Sequence, residues 1–588
     1  MGNYRNFKLV AYFVAHGTAT TTREELERDL AFFERHMKLD KVYLEPFRAE
    51  MASHEQVEMC REVFEKHGVE VAGGLTTVIR TPEGAEPKQR MFDTFCYNDP
   101  AMTDKLKEVC RFLGEHFNEY IIDDFFFTSC SCPACRAEKD KYNAAHGITD
   151  GSWTRYRLDL MRRVSEEYVL GPTKAANPAC RVTIKYPNWA ESYQATGYAP
   201  GLQRDLFDMV YTGTETRDPV TTDQHLPRYL SFSLMTYFEN MCPGRNGGGW
   251  WDPFSTHITE HYLEQAYLTA FSRPKELMLF CFQAMRNHMW TAALGFELDK
   301  LDETLDYLGK PVGIRCYLPD NCEGDDNAQD FLGMCGLPVT CTPYFPAEAP
   351  QILLTRSSAC DPDVVAKLDA YVAEGGRALV TDGFLSAVQG KGIDALTTVR
   401  PTGRVLACER FRVEDNTPEG WPGCTWADAR PVLLPASEHR NNFSWGVVKA
   451  MRGEENQDFL SRDCYGKGEL WSITLPCALP DLYRLPASVL TRVREAFPVG
   501  GAYLEGESQV SLFVYDNGSF ILYPYVMDGA QRKSVRLHVK GAKALRMPLR
   551  KDPRGEARVL RPLYQSGGDS VFELQVQPGQ WELLTLAE

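Results

Sequence analysis

Over the first 300 residues, short apolar runs alternate with amphipathic stretches. KLVAYFVAHG reads as a strand, and TTREELERDLAFFERHMK, with capping-box spacing at Thr21 and Glu24 or at Thr22 and Glu25, as the helix after it. KVYLEPF, VEVAGGLTTV, EYIIDDFFF, RVTIKYPNW and LFDMVYTGTE continue the series of strands, with helical patterns between most of them. A seventh strand is expected within RYLSFSLMTYFEN and an eighth in ELMLFCFQAM. Eight strands with intervening helices predict an α/β fold, a (β/α)8 TIM barrel spanning residues 1–305. No G-x-G-x-x-G follows the first strand, which argues against an open dinucleotide-binding sheet.

After Leu308 the pattern restarts with VGIRCYL, QILLTR and GGRALVTDGF, a second α/β domain expected at 306–497. Its Cys341, in VTCTPYF, lacks a nucleophile elbow, so this domain is read as non-catalytic. From about Pro498 the segments are short and strand-like, and YDNGS carries a strong hairpin signal. A small C-terminal β-sandwich is expected at 498–588.

The chain has 588 residues and a formal charge of -16, with no block of Lys or Arg, which disfavours nucleic acid as a partner. No apolar run is long enough to span a membrane, and the N-terminus shows no signal-peptide pattern. A cytoplasmic protein with reduced thiols is the expectation. Abundant aromatics in an acidic chain suit a neutral ligand such as an oligosaccharide or glycoside.

Barrel enzymes work at the C-terminal ends of their strands. Asp123 and Asp124 fall where the fourth strand stops, Glu215 lies beyond the sixth, and Glu239 lies where the seventh is expected to end. Two carboxylates from opposed strands are the minimum for glycoside hydrolysis. Aromatic rings near the same loops, Tyr186, Trp189, Trp250 and Trp251, are candidates to stack on sugar faces or to fill the core. Lys185 and Arg217 either bind an anionic substituent or pair with the nearby acids, and His16 is a candidate hydroxyl-binding residue.

Cys130, Cys132 and Cys135 offer three thiolates in a C-x-C-x2-C pattern, which suits a structural zinc once a fourth ligand closes the site. Upstream, Cys96 in the loop-like FDTFCYNDP is a better fourth ligand than Cys110, which sits in an amphipathic helix.

The chain resembles the glycoside hydrolase family 42 β-galactosidases. CYNDP at Cys96 and CSCPAC at Cys130 look like that family's zinc-binding cysteine group, which implies zinc on Cys96, Cys130, Cys132 and Cys135. ENMCPGRNG looks like the segment after the family's seventh strand, which implies Glu239 as nucleophile. The family's fourth strand ends in Asn-Glu, and here Asp123 and Asp124 stand in those places, with Asp124 matching the general acid/base. Asp is shorter than Glu by one methylene, about 1.5 Å of reach. The resemblance implies a catalytic barrel, an amidotransferase-like second domain, a small β domain and a homotrimer or other homo-oligomer. It also implies an exo-acting, retaining enzyme on a galactoside or related glycoside, with structural zinc and no organic cofactor. Two alternatives stay open. One is an atypical or inverting glycosidase using Asp123, Asp124 and Glu215 on another sugar, acidic or amino. The other is a sugar-binding barrel without catalysis.

Overall fold

The computed structural model describes residues 4–80, 90–222, 224–322, 324–414, 423–526 and 532–587. The chain divides into two compact units, Met1–His225 with Phe238–Leu305, and Leu226–Tyr237 with Asp306–Glu588. Among the described residues no helix is long and apolar enough to cross a membrane.

The first unit is a closed barrel of eight parallel strands: β1 (Lys8–Phe13), β2 (Lys41–Arg48), β3 (Glu70–Leu75), β4 (Glu119–Ile122), β5 (Arg181–Tyr186), β6 (Met209–Gly213), β7 (Asn246–Trp251) and β8 (Glu276–Phe280). Each pairs in parallel with the next, and β8 returns to β1 with Glu276 opposite Lys8 and Phe280 opposite Tyr12. The first long helix, Arg23–Glu34, uses the second of the two possible capping boxes, in which Thr22 and Glu25 satisfy each other's backbone N–H groups.

The seventh strand is not where the apolar pattern puts it. Leu230–Met241 is a helix, and the strand is Asn246–Trp251, NGGGWW. LSFSLMTYFENM is buried along nearly its whole length, so no solvent-facing stripe separates helix from strand. The true strand is masked by glycines, which carry little strand propensity. Packing requires them. A Cβ on Gly248 would lie 2.2 Å from the Glu276 carbonyl oxygen, and one on Gly249 2.3 Å from Thr269.

Strand alternation sends every second side chain into the barrel. Val10, Tyr12, Tyr43, Ala72, Ile121, Tyr211, Trp250 and Met278 form one buried cluster there. Beneath this apolar layer, at the strands' N-terminal ends, is a buried ionic cluster. The Lys41 ammonium donates to Glu119, to Glu276 Oε1 at 3.1 Å and to the Tyr43 hydroxyl at 2.8 Å. Tyr43 in turn donates to Glu119 at 2.7 Å, and Arg181 reaches the other Glu119 oxygen. Burial pushes the Glu276 carboxyl above its usual range, whereas Lys41 and its neighbours outweigh burial at Glu119 and hold that carboxyl down.

The second unit is richer in strands. Its largest sheet has a parallel part, Val339–Thr342, Ile314–Tyr317, Gln351–Leu354, Arg377–Thr381 and Gly468–Ile473, extended by four antiparallel strands drawn from Val399–Tyr465. Cys341 is buried in this sheet. Two smaller antiparallel sheets hold the C-terminal strands, and YDNGS turns the hairpin between Val510–Tyr515 and Ser519–Pro524. One edge of the larger of these is Pro311–Val312, which precedes the parallel strands in the chain.

Removing Lys41 tests the ionic layer. Lys41→Met should cost about 3–5 kcal/mol, because it takes from buried Glu276 the cation it pairs with and leaves Glu119 with Arg181 alone. Urea unfolding followed by circular dichroism measures this, and a loss below about 1 kcal/mol would contradict the account.

Candidate active site

Two residues beyond the apolar layer, the same alternation delivers polar side chains to the C-terminal mouth. Tyr43 is followed by Glu45, Ile121 by Asp123, Thr183 by Lys185, and Trp250 by Asp252. Glu215 lies just past β6. With Asp124, these residues are between 0 and 6 % exposed. A buried set of five carboxylates is stable only if cations and donors are built in with it.

Lys185 is the principal cation. Its ammonium donates to Asp124 Oδ2 at 2.6 Å and to Glu215 Oε1 at 3.2 Å, and lies 3.8 Å from Asp123 Oδ1. It also sits 4.3 Å above the Trp250 ring, whose quadrupole favours a cation there. Both acids of the Asp123–Asp124 pair reach the same ammonium because strand geometry ends at Ile122. A turn closed by the Phe126 N–H on the Asp123 carbonyl, 3.1 Å, suspends the alternation that would otherwise turn them apart. Glu215 rests against Gly213, where a Cβ would lie 2.8 Å from its Oε2. That Oε2 is buried and accepts no hydrogen bond.

Asp123 is ringed by donors. The Asp124 N–H donates to Oδ1 at 2.7 Å, and Arg48 Nη2 and Thr76 Oγ1 donate to Oδ2 at 3.0 and 3.1 Å. Arg48 is aimed by Glu45, which also accepts from Tyr12 at 2.9 Å and from the Ala15 N–H at 2.8 Å. On the far side, Arg217 makes a two-pronged pair with Asp252, at 3.0 and 2.8 Å. Trp250 stacks on Phe280 at 5.0 Å and leans on Tyr12 at 4.8 Å, which gives the mouth an aromatic floor.

The two neighbouring acids are driven apart in acidity. Burial raises the Asp124 carboxyl well above the usual carboxylate range, and the charges of Asp123 and Glu215 add to this against the pull of Lys185. At Asp123 burial also pushes upward, but Lys185, Arg48 and the Asp124 N–H prevail and hold the group below its usual value. Burial likewise raises Asp252 despite its Arg217 partner. Environments that separate adjacent carboxyls in this way are the pattern of acid/base assignments in hydrolases.

Of the residues singled out from sequence, the structure gathers Asp123, Asp124, Lys185, Glu215 and Trp250 into one cluster, with Arg217 beside it through Asp252. Glu239 is elsewhere. It lies on the helix that precedes β7, at the opposite end of that strand from the mouth, is exposed, and accepts from the Gly244 N–H at 2.8 Å. Its expected place followed from assigning the helix as the strand. Tyr186 has outward parity on β5, stacks on Phe238 at 5.1 Å and donates to Gln203, so it is core. Trp251 is fully buried with the parity opposite to Trp250. His16 is exposed on the short helix Ala15–Thr20. Trp189 is half-buried and packs edge-on against Tyr198, whose hydroxyl donates to the Asp124 carbonyl. Glu45, Arg48, Thr76 and Asp252 were not anticipated. Asp252 follows Asn246–Trp251, the strand that the apolar pattern misses, and Glu45 is hidden inside an apolar run.

The four cysteines also meet. One sulfur from each of Cys96, Cys130, Cys132 and Cys135 lies within 4.8 Å of the others, with Cys96 at 3.8 Å from Cys132 and 3.5 Å from Cys135. Tetrahedral thiolate ligation at about 2.3 Å needs sulfurs roughly 3.8 Å apart, so the set fits a metal ion. Asn98 donates to the Cys135 sulfur at 3.2 Å. Cys110, the other candidate, is fully buried outside this group.

Residues 1–310 match the family model described as "Probable glycosyl hydrolase, catalytic domain". An uncharacterised protein of Saccharolobus solfataricus is 27% identical over 300 residues, 47% of this chain and 48% of that protein, so the match spans about half the length of the curated relative. Among solved structures, a variant of Gan42B, a GH42 β-galactosidase from G. stearothermophilus, is similar over 99% of both chains with a TM-score of 0.64 and 11% identity. A β-galactosidase from Rahnella sp. R3 is similar over 97% of this chain and 99% of its own, with a TM-score of 0.61 and 13% identity. Isoenzyme 2 of α-L-fucosidase from Paenibacillus thiaminolyticus is similar over 100% of both chains, with a TM-score of 0.61 and 12% identity. At these identities the likeness is one of fold, and with more than half of its length matched by the family model, the chain belongs to the family of probable glycosyl hydrolases.

Proposed function

We propose that this chain hydrolyses a glycoside at the mouth of its barrel, with Asp124 as general acid/base and Glu215 as the second carboxylate. The observation that carries the reading is the shared ammonium: Lys185 holds one oxygen of each acid, while the other Glu215 oxygen is left without a hydrogen bond. The two oxygens can be no farther apart than the 2.6 and 3.2 Å contacts laid end to end. That bound on the two nearest oxygens lies closer to the roughly 5–5.5 Å between the carboxyl groups of a retaining pair than to the ~6.5–9.5 Å of an inverting one, and favours retention. Protonated Asp124 gives its proton to the leaving oxygen as Glu215 attacks the anomeric carbon. Asp124 then takes a proton from the water that releases the sugar.

Each of the cations Arg48, Lys185 and Arg217 is engaged by carboxylates. This weighs against an acidic sugar and for a neutral one seated on the Trp250–Phe280 floor. The names carried by the structural neighbours favour a terminal galactoside or related sugar. The cysteine cluster is read as a closed structural zinc site that ties the loop after β3 to the loop after β4. With four thiolates it supplies no activated water. A homotrimer, an amidotransferase-like second domain, a C-terminal β-sandwich and a cytoplasmic setting belong to the same proposal.

Asp124→Asn should slow substrates with poor leaving groups by about 10²–10⁴-fold and activated aryl glycosides much less. Glu215→Gln should abolish turnover of both. Full activity in Glu215→Gln removes Glu215 from the mechanism, and equal losses on all leaving groups remove Asp124 from the acid role. The pH profile gives a second check. The alkaline limb of kcat/KM reports loss of the Asp124 proton and should lie above the usual carboxylate range. Because the Lys185 ammonium lowers that group, Lys185→Met should move the limb to higher pH, and movement to lower pH contradicts the assignment. For the cysteines, elemental analysis of protein purified without chelator should find about one zinc per chain, lost in Cys135→Ser. Metal-free wild-type protein of unchanged stability would remove the zinc.

A further inference from the structure

Away from the barrel mouth and the cysteines, a third set of metal-ligating side chains converges on the outside of the barrel. His54 opens the helix His54–Lys66, and Glu58 lies one turn further on the same face. His116 ends the helix Pro100–His116. One donor atom from each lies within 4.8 Å of the other two. The two imidazole rings are 4.7 Å apart, and His116 Nδ1 is 3.8 Å from Glu58 Oε1.

Two further observations point to a ligand. Glu58 Oε1 is buried yet accepts no hydrogen bond. Its other charged neighbour, Arg61 at 3.6 Å, is already committed, since Nη2 donates to the His116 carbonyl at 2.6 Å and the guanidinium lies over the Phe117 ring at 4.7 Å. Second, the His116 ring is held in place by Phe112, with centroids 4.2 Å apart. One imidazole held against Phe112, one under-satisfied carboxylate oxygen and one exposed imidazole beside them make a partly preorganised ligand set.

We propose that His54, Glu58 and His116 bind a divalent transition-metal ion of the zinc, cobalt and nickel class. Two imidazoles and a carboxylate suit such borderline ions. Ligand bonds of about 2.0–2.2 Å need donors roughly 3.4 Å apart, so the set must close slightly, a motion that falls to exposed His54. Three protein ligands leave water in the remaining position. The ion clips the helix after β2 to the helix after β3, so the stability of the barrel answers to free metal. The site is independent of the catalytic reading and shares no residue with the cysteine cluster.

The test is a titration of the full-length protein, as purified, with cobalt(II), followed by calorimetry and visible absorption. One ion per chain should bind with d–d bands and no thiolate charge-transfer band. His54→Ala and His116→Ala should each weaken binding by at least about tenfold, and Glu58→Gln should weaken it as well. Added cobalt should raise the melting temperature of the wild type but not of these variants, whose metal-free melting and circular dichroism confirm that they fold. No saturable uptake by the wild type, unchanged affinity in both histidine variants, or a spectrum carried by thiolate charge transfer would each overturn the proposal.

Discussion

Closing a parallel sheet on itself sends every second side chain into a space that water does not fill. Everything described in the barrel depends on how this chain meets that constraint. Its interior has an apolar layer between two ionic ones. At one end Lys41 stands between Glu119 and Glu276, and at the other Lys185 stands between Asp124 and Glu215. Each layer is costly unless complete, because a buried charge without its counter-ion is penalised by several kcal/mol. The lower layer closes the barrel. The upper one keeps the Asp123 and Asp124 carboxyls buried side by side, the first pulled toward greater acidity and the second toward less.

Much of the barrel was legible in the sequence because seven of its strands are apolar runs bounded by turn or helix signals. The remaining strand, β7, escaped for a specific reason. In NGGGWW the glycines are there to admit the Glu276 carbonyl and Thr269, and the requirements of packing erased the local strand signal. That one error propagated. It carried Glu239 to the wrong end of a strand and hid Asp252, which follows the true one. The rule that polar residues at strand ends face the barrel mouth brings Asp123, Asp124, Lys185 and Glu215 together there. It could not say that Lys185 would join Asp123, Asp124 and Glu215, because side-chain convergence between β4, β5 and β6 is a property of the closed barrel. Parity along each strand separates Trp250 from Trp251 and Lys185 from Tyr186, but only once the strand bounds are known.

The pair Asp123–Asp124 gains a physical rationale from its neighbours. Around Asp123 the Asp124 N–H, Arg48 and Thr76 all donate, and the Lys185 ammonium is close by. An Asn in that position would have to turn its own donor toward these donors. The carboxylate is therefore matched to Arg48, which Glu45 holds from β2. The substitution relative to Asn-Glu is one part of a set that includes Glu45, Arg48 and Thr76, and it is to be understood as a repacked polar network.

The helix Leu230–Met241 bears on how such a chain could arise. Its residues through Tyr237 belong to the second compact unit and its last turn, from Phe238, to the barrel. Tyr229, just before the helix, exchanges hydrogen bonds with the main chain of Val339, and Thr236 accepts from the Cys341 N–H. A segment encoded within the barrel is thus part of the second unit's own hydrogen-bonding scheme. Neither unit corresponds to one uninterrupted stretch of gene. Recombination that transplanted residues 306–588 alone would leave behind a piece that this unit uses, so the two halves of the chain are expected to be inherited together rather than shuffled as separate modules.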